Sequence, residues 1–214
     1  MRPNQQLIDL NTRAADQYHA ALAGSPGQDY LAARGLLEGA EAFHLGWVDR
    51  PAPGHDDRFI HTISIPYLTG AGVVGMKFRR IDDSTPKYDQ MQGQKQHLYN
   101  VDAILNAVTE VLIVEGELDA IAATLVGHPA CGVAGANGWK PRWRRVFDGI
   151  ERVLIVTDND AKADGSNPGQ DLSRKISDSL HTGVRVSLPT GHDVCSMIAE
   201  YGAQSFTDLV EAIK

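Results

Sequence analysis

The stretches VLIVEGELDA (residues 111–120) and VLIVTDNDAK (153–162) each run four aliphatic residues straight into carboxylates. A short unbroken aliphatic run bounded by polar residues predicts a strand buried on both faces, the habit of parallel sheets covered by helices. Reading outward, the pattern predicts strand (111–114), helix (117–126), short strand (130–134), helix (about 140–148), strand (153–156), helix (170–181) and strand (184–187). Strands alternating with helices imply right-handed crossovers and a parallel sheet with helices on both faces. In an open sheet of this kind ligands bind beyond the carboxyl ends of the strands. Glu115 stands at that edge directly after the first VLIV, and Asp158 and Asp160 follow the second. Asp119 falls in the first turn of the next helix, where a carboxylate also suits the helix dipole.

If the two strands are neighbours, these carboxylates converge, and their mutual repulsion calls for cations. All-oxygen ligation without His or Cys favours Mg²⁺ or Mn²⁺. Solvated turn residues and helix caps would leave the same letters. The repetition of the pattern on two VLIV strands favours the metal.

The residues before about 109 have a different rhythm. NQQLIDLNTRAADQYHAAL (4–22) places Leu7, Leu10, Ala14, Tyr18 and Leu22 on one face of an amphipathic helix. DYLAARGL (29–36) predicts a short helix with Gly35 at C′. RFIHTISIPYLTGAGVVGMKFRR (58–80) predicts a hairpin with a Gly-containing turn. The match of GAGVVG (70–75) to G-x-G-x-x-G lacks the following helix that a dinucleotide site requires. A polar segment then leads to a helix at about 101–109. The expected organisation is an α+β N-terminal subdomain, residues 1–109, and an α/β subdomain with a C-terminal helix, residues 110–214.

Charge and cysteine content narrow the function. The 214 residues carry a formal net charge of -7, with ten Lys/Arg against thirteen Asp/Glu in residues 1–110 and ten against fourteen in 111–214. Any nucleic-acid surface is therefore a local patch. Lys77, Arg79 and Arg80 cluster on one hairpin arm, and in a strand Lys77 and Arg79 share a face. An edge strand charged against aggregation is the alternative. Cys131 and Cys195 lie far apart with no C-x-x-C, so no zinc is expected. No signal peptide or membrane-spanning run is present in the sequence, and a cytoplasmic protein with no membrane partner is expected. In GWKPRWRRVF (138–147), Trp139 and Trp143 alternate with Lys140, Arg142, Arg144 and Arg145; packing of Trp143 and Phe147 with the arginines in solvent is preferred over base stacking. SNPGQD (166–171) opens a helix whose N-terminus either receives a triphosphate or is simply capped.

Strand–E–G–x–x–D–helix followed by strand–x–D–x–D–helix resembles the Toprim domain of bacterial-type primases, topoisomerases and certain nucleases. Glu115, Gly116 and Asp119 match its first motif, Asp158 and Asp160 its second. The resemblance implies a general acid/base role for the glutamate and divalent metal held by the aspartates. DYLAARGL, FHLGWV (43–48), GVVGMKFRR (72–80), TPKYDQ (85–90) and KQHLYN (95–100) are similar, in order, to segments of the catalytic core of DnaG-type primases. With the Toprim elements the likeness runs from about residue 5 to 200 and looks like a stand-alone phage or plasmid form, placing the protein in a host cytoplasm. It implies that Arg34, Arg79, Lys87 and Lys95, with Lys77 beside them, form a basic surface for template and nucleotide. It implies synthesis of short RNA primers from ribonucleoside triphosphates on single-stranded DNA.

Two departures follow. The family's late P-x-G-x-D-P-D element is LPTGHDVCSM (188–197) here, which keeps Asp193 as a metal ligand but has Cys195 where a second aspartate would stand. The zinc module and helicase-binding region of replicative primases are not seen, so a helicase or a separate zinc-module partner is expected at initiation. A Toprim nuclease, and an accessory subunit that binds single-stranded DNA or a helicase, are the competing readings.

Overall fold

A computed structural model describes residues 4–107 and 109–213. Its two compact units divide between His97 and Leu98. This is earlier than the expected boundary at 109/110, because the helix after Asn100 belongs to the second unit. Leu98, Ala103 and Ile104 are buried in that unit's core beside Val111, Ile113 and Cys131.

In the first unit, α1 (Gln5–Ala20) and α2 (Pro26–Ala33) precede four strands, β1 (Gly46–Trp47), β2 (Thr62–Thr69), β3 (Gly72–Arg80) and β4 (Tyr88–Gln90). They form one antiparallel sheet in the order β1-β2-β3-β4. The hairpin closes between Thr69 and Gly72, so the G-x-G-x-x-G match is a turn running into a strand. Helix α2 ends as expected at Gly35: the N–H groups of Gly35 and Leu36 donate to Ala32 and Leu31 carbonyls, at 3.0 and 2.9 Å.

The buried face of α1 is not the expected one. Ile8, Asn11, Ala14, Ala15 and Tyr18 are buried, while Leu7 and Leu10 are about half exposed. Polar contacts decide the rotation of the helix. Asn11 donates its amide to the Val73 carbonyl, and Thr12 Oγ1 accepts the Val73 N–H, so two α1 side chains serve one β3 peptide. A hydrophobic stripe read by spacing alone cannot register that anchor.

The second unit contains α3 (Val101–Leu105), β5 (Glu110–Glu115), α4 (Glu117–Leu125), β6 (Ala130–Val133), β7 (Arg152–Thr157), α5 (Pro168–Ser177), β8 (Gly183–Ser187) and α6 (Val194–Glu211). The strands make a parallel sheet in the order β6-β5-β7-β8. All eight VLIV residues of β5 and β7 are fully buried. Each such aliphatic side chain contributes about 1.5–3 kcal/mol of burial free energy, which is why this pair of strands carries the fold. Val111, Ile113, Val153 and Ile155 pack with Leu172 and Ile176 of α5 on one face. The alternate residues turn to the other face, where α4 and α6 pack on the sheet and each other.

The helix expected at about 140–148 is a 3-10 turn, Pro141–Phe147. It is pinned at its ends by buried Trp139 and Phe147, and 3-10 winding covers more length per residue than an α-helix. Among the described residues no helix is long and apolar enough to cross a membrane.

Candidate catalytic site

Strands β5 and β7 are parallel neighbours, paired from Glu110↔Arg152 to Val114↔Val156. Their carboxyl ends are therefore level. From that edge the chain leaves β5 toward β6 and leaves β7 toward β8. The gap between β5 and β7 is thus the sheet's topological switch point, the place where such sheets bind ligands.

Glu115 ends β5, and Gly116 follows with φ 105, ψ 166 before α4 starts. That left-side φ strains any other residue, which explains the glycine after the glutamate. Asp158 is the first residue after β7, and Asp160 lies two further on and exposed. The first turn of α5 presses against this point: a Cβ on Gly169 would lie 2.2 Å from the Asp158 carbonyl oxygen. Asn167 caps α5, accepting the Gln170 N–H at 3.1 Å, so the SNPGQD segment holds the helix start against the strand end.

Electrostatics show which carboxylates meet. Burial, then the charges of Asp119, Glu115, Asp193 and Asp160, push Asp158 up to about 9. Burial, then Asp160, raises Glu115 as well. Glu115 Oε2 and the neighbouring Thr157 Oγ1 are buried, with no hydrogen-bond partner among the described residues. The other four carboxylates singled out in the sequence therefore all act on Asp158.

They are not equally free. Asp119 is buried, and its Oδ1 accepts the backbone N–H of Cys195 at 3.0 Å. Asp193 caps α6, accepting the Ser196 N–H at 2.6 Å while Ser196 Oγ accepts the Asp193 N–H at 3.0 Å. Two carboxylates thus serve successive N–H groups at the start of α6. The Cys195 side chain, standing where a second aspartate was looked for, is buried. Among the described residues, no three His, Cys, Asp or Glu groups are disposed around a common point as metal ligands. The expected set of Glu115, Asp158, Asp160 and Asp193 is gathered in one region without being closed into a cage.

Asn159, between the two aspartates, was not singled out by its residue type. Its amide donates to the Leu188 carbonyl at 2.7 Å and its Oδ1 accepts from Asn167 at 3.0 Å. Its backbone N–H and carbonyl pair with His192 and Gly191. One residue thereby ties the loop after β7 to the loop that carries Asp193 and to the cap of α5. His192 packs its ring against Tyr201.

The basic residues of the first unit divide. Arg34 and Arg79 both lie over the Tyr30 ring, with guanidinium carbons 5.1 and 5.8 Å from its centroid. Arg79 also donates Nε–H to the Tyr30 hydroxyl at 2.9 Å. Arg79 and Lys77 flank the Tyr88 ring, at 4.7 and 5.3 Å. Two tyrosines thus space three cations into a row, a role the sequence reading did not give them. Lys87 adjoins Tyr88 in sequence, its carbonyl accepting the Arg80 N–H. Lys95 stands apart from the row, lining a groove with Leu7 and Leu10 of α1.

No protein-family model matches the chain. The gene 57 protein of Mycobacterium phage D29 is 35% identical over 153 residues, covering 69% of this chain and 97% of that protein. The zinc-binding and RNA polymerase domains of Aquifex aeolicus primase superpose with TM-score 0.77 at 20% identity, covering 99% of this chain and 62% of the other. This chain therefore spans about three-fifths of that one. The RNA polymerase domain of Mycobacterium tuberculosis primase DnaG gives 0.73 at 21% identity, covering 97% and 83%. A DnaG primase catalytic domain bound to single-stranded DNA gives 0.74 at 21%, covering 97% and 81%. The chain belongs to the family of the phage D29 gene 57 protein, and its fold is that of the DnaG primase catalytic core.

Proposed function

We propose that the protein is a primase-type nucleotidyltransferase, a Toprim-containing core that builds short RNA primers from ribonucleoside triphosphates on single-stranded DNA. The observation that carries the reading is the set of carboxylates crowded at the switch point of the parallel sheet, with Asp158 pushed up to about 9 by burial and its four neighbours. The residues present fit a hard divalent cation. The donors are all oxygen, Glu115 Oε2 is buried with no hydrogen-bond partner among the described residues, and the charges that raise Asp158 are all negative. Asp158, Asp160, Asp193 and Glu115 would hold Mg²⁺ or Mn²⁺. When bound, such ions stabilise charge on the attacking and leaving oxygens of phosphoryl transfer.

The chain's own groups have distinct tasks. Glu115, whose affinity for a proton is raised by burial and by Asp160, takes the proton of the attacking 3′-hydroxyl. Asp119 holds the start of α6, and with it Asp193, in place. The row of Arg34, Arg79 and Lys77 across Tyr30 and Tyr88 binds phosphates of template and nucleotide. Likeness to a DnaG domain solved with single-stranded DNA supports that ligand. Initiation on a helicase-bound strand, or with a separate zinc module, would be a partner's contribution.

The test is Asp158→Ala. It is expected to abolish nucleotide incorporation while leaving the fold and single-stranded DNA affinity largely intact; synthesis at the wild-type rate would overturn the assignment. A second reading, a DNA-binding subunit without turnover, draws on the engagement of Asp119 and Asp193 as caps of α6. DNA binding retained in EDTA, with no turnover in any metal, would select it.

A further inference from the structure

The segment Lys140–Arg145 has four cations in six residues, out of ten Lys/Arg in the whole of 111–214. Their partners in the sequence pattern have opposite fates. Trp139 is buried and donates its indole N–H to Ser179 Oγ at 3.1 Å; Trp143 and Phe147 pack against it. The aromatic rings are therefore spent on anchorage, which removes base stacking by Trp139. Lys140 is half-buried, and Arg142, Arg144 and Arg145 are exposed. In a 3-10 turn, residues three apart eclipse, so Arg142 and Arg145 stand in line about 6 Å apart along the axis.

Beside the turn lies a cleft of about 370 Å³, lined among others by Arg144, Arg145, Ser179, His181 and Thr182. Asp148 is the only carboxylate among its lining residues. The cleft is formed by the loops preceding β7 and β8, so it opens at the edge of the sheet opposite the carboxylates. A six-residue β7 puts about 20 Å between the two edges. Helix α5 joins them, its first turn packed through Gly169 against Asp158 and its end at Ser177 beside the cleft. Arg174 and Lys175 are exposed toward its end, with Arg174 paired to Asp171 at 2.8 Å and the exposed Asp178 following. Arg185 on β8 alongside is bonded to the neutral Ser173 and Gln170, at 3.1 and 3.0 Å. The α5–β8 flank thus carries charge of both signs, and the cations concentrate on the turn beside the cleft.

We propose that this arginine-rich turn and cleft are a second phosphate-backbone contact, taken by the single-stranded DNA template about 20 Å from the reacting end. The inference rests on the proposed function and gives it a length requirement. Three exposed arginines on one turn beside the cleft suit an extended polyanion; a free nucleotide would engage the cleft alone. Clustering against a net charge of -7 distinguishes the surface from scattered solubilising charge.

The experiment measures affinity of the full chain for fluorescent single-stranded DNA over a series of salt concentrations. Two oligonucleotides are used, one long enough to pass from the carboxylate edge to the cleft and one too short to do so. The variants are Arg144→Ala/Arg145→Ala and Arg144→Lys/Arg145→Lys. For the long strand the alanine pair is expected to weaken binding most at low salt and to flatten the slope of log K against log salt by about 1.4, about 0.7 for each lost single-strand phosphate contact. The lysine pair is expected to keep the slope, which separates charge from folding. The short strand and free nucleoside triphosphates are expected to bind all three proteins alike. An unchanged long-strand affinity and slope in the alanine pair would overturn the inference alone and leave the surface to a protein partner. Weakened triphosphate binding would overturn it in favour of a nucleotide subsite. A wild-type protein that binds no strand of either length would overturn both this inference and the proposed function.

Discussion

Asp119 Oδ1 accepts the backbone N–H of Cys195 at 3.0 Å, linking the first turn of α4 to the first turn of α6. The same carboxylate adds to the field that raises Asp158. Structural and electrostatic roles can be separated because an amide keeps the acceptor and loses the charge. Asp119→Ala should lower stability by about 1 kcal/mol, the usual worth of a helix cap. For a chain of this size that is roughly 2–4 °C in melting temperature. Asp119→Asn should melt near wild type, yet bring Asp158 closer to an ordinary carboxylate, readable by NMR titration. Equal melting losses in both variants would refute the capping role.

Asp158 makes stability depend on pH in a definite direction. Its folded-state value of about 9 lies far above the unfolded value near 3.9. Between those values the folded protein binds more protons than the unfolded chain, so this group's contribution falls as pH rises. The metal-free protein should therefore melt lower at pH 8 than at pH 5, as far as Asp158 contributes. Asp158→Asn should reduce that difference, raising the melting temperature at pH 8 and leaving pH 4 little changed. Thermal scans with and without Mg²⁺ should show wild type stabilised by the ion chiefly at the higher pH, and the variant much less.

Asn159 is a positioning residue. Its side chain holds the Leu188 carbonyl and Asn167, and so holds the loops on either side of Asp158 and Asp160. Asn159→Ala loses hydrogen bonds worth about 1 kcal/mol each. The expected result is a folded protein with modestly lowered melting temperature, near-normal strand affinity and a turnover number reduced well beyond the change in KM. A fall in affinity with turnover intact would contradict it.

Tyr30 and Tyr88 space the cations of the first unit. Tyr88→Ala removes the ring that both Arg79 and Lys77 face. At about 1 kcal/mol for a cation–π contact, single-stranded DNA affinity should fall roughly fivefold. Tyr30→Phe keeps a ring under Arg34 and Arg79 but loses the hydroxyl that accepts Arg79 Nε–H. Its loss should be smaller than that of Tyr30→Ala, as fluorescence anisotropy can measure.

Much of this arrangement was legible before any coordinates. Two VLIV runs announce buried parallel strands, and the acid after each places carboxylates at the carboxyl ends of those strands; both follow from periodicity. What was not legible depends on partners distant in sequence. Leu7 and Leu10 match the hydrophobic spacing of α1, but Asn11 and Thr12 turn the helix by bonding Val73. Strand β4 is a polar three-residue segment that exists because β3 offers it an edge. The 3-10 turn carries a helix-like pattern, yet burial of Trp139 and Phe147 sets its length. Asn159, Tyr30 and Tyr88 act through contacts that neither residue type nor spacing announces.

The proposed function assigns nucleotide transfer to the carboxylate edge of the parallel sheet. Its most direct test is extension of a short RNA primer on single-stranded DNA with labelled ribonucleotides and Mg²⁺ or Mn²⁺, comparing wild type with Glu115→Gln. Supplying the primer removes initiation from the measurement. Extension by wild type is expected, with a loss of at least about a hundredfold in the variant, the scale of general acid–base catalysis. Extension by both proteins at equal rates, or shortening of primer or template by the wild type, would contradict it.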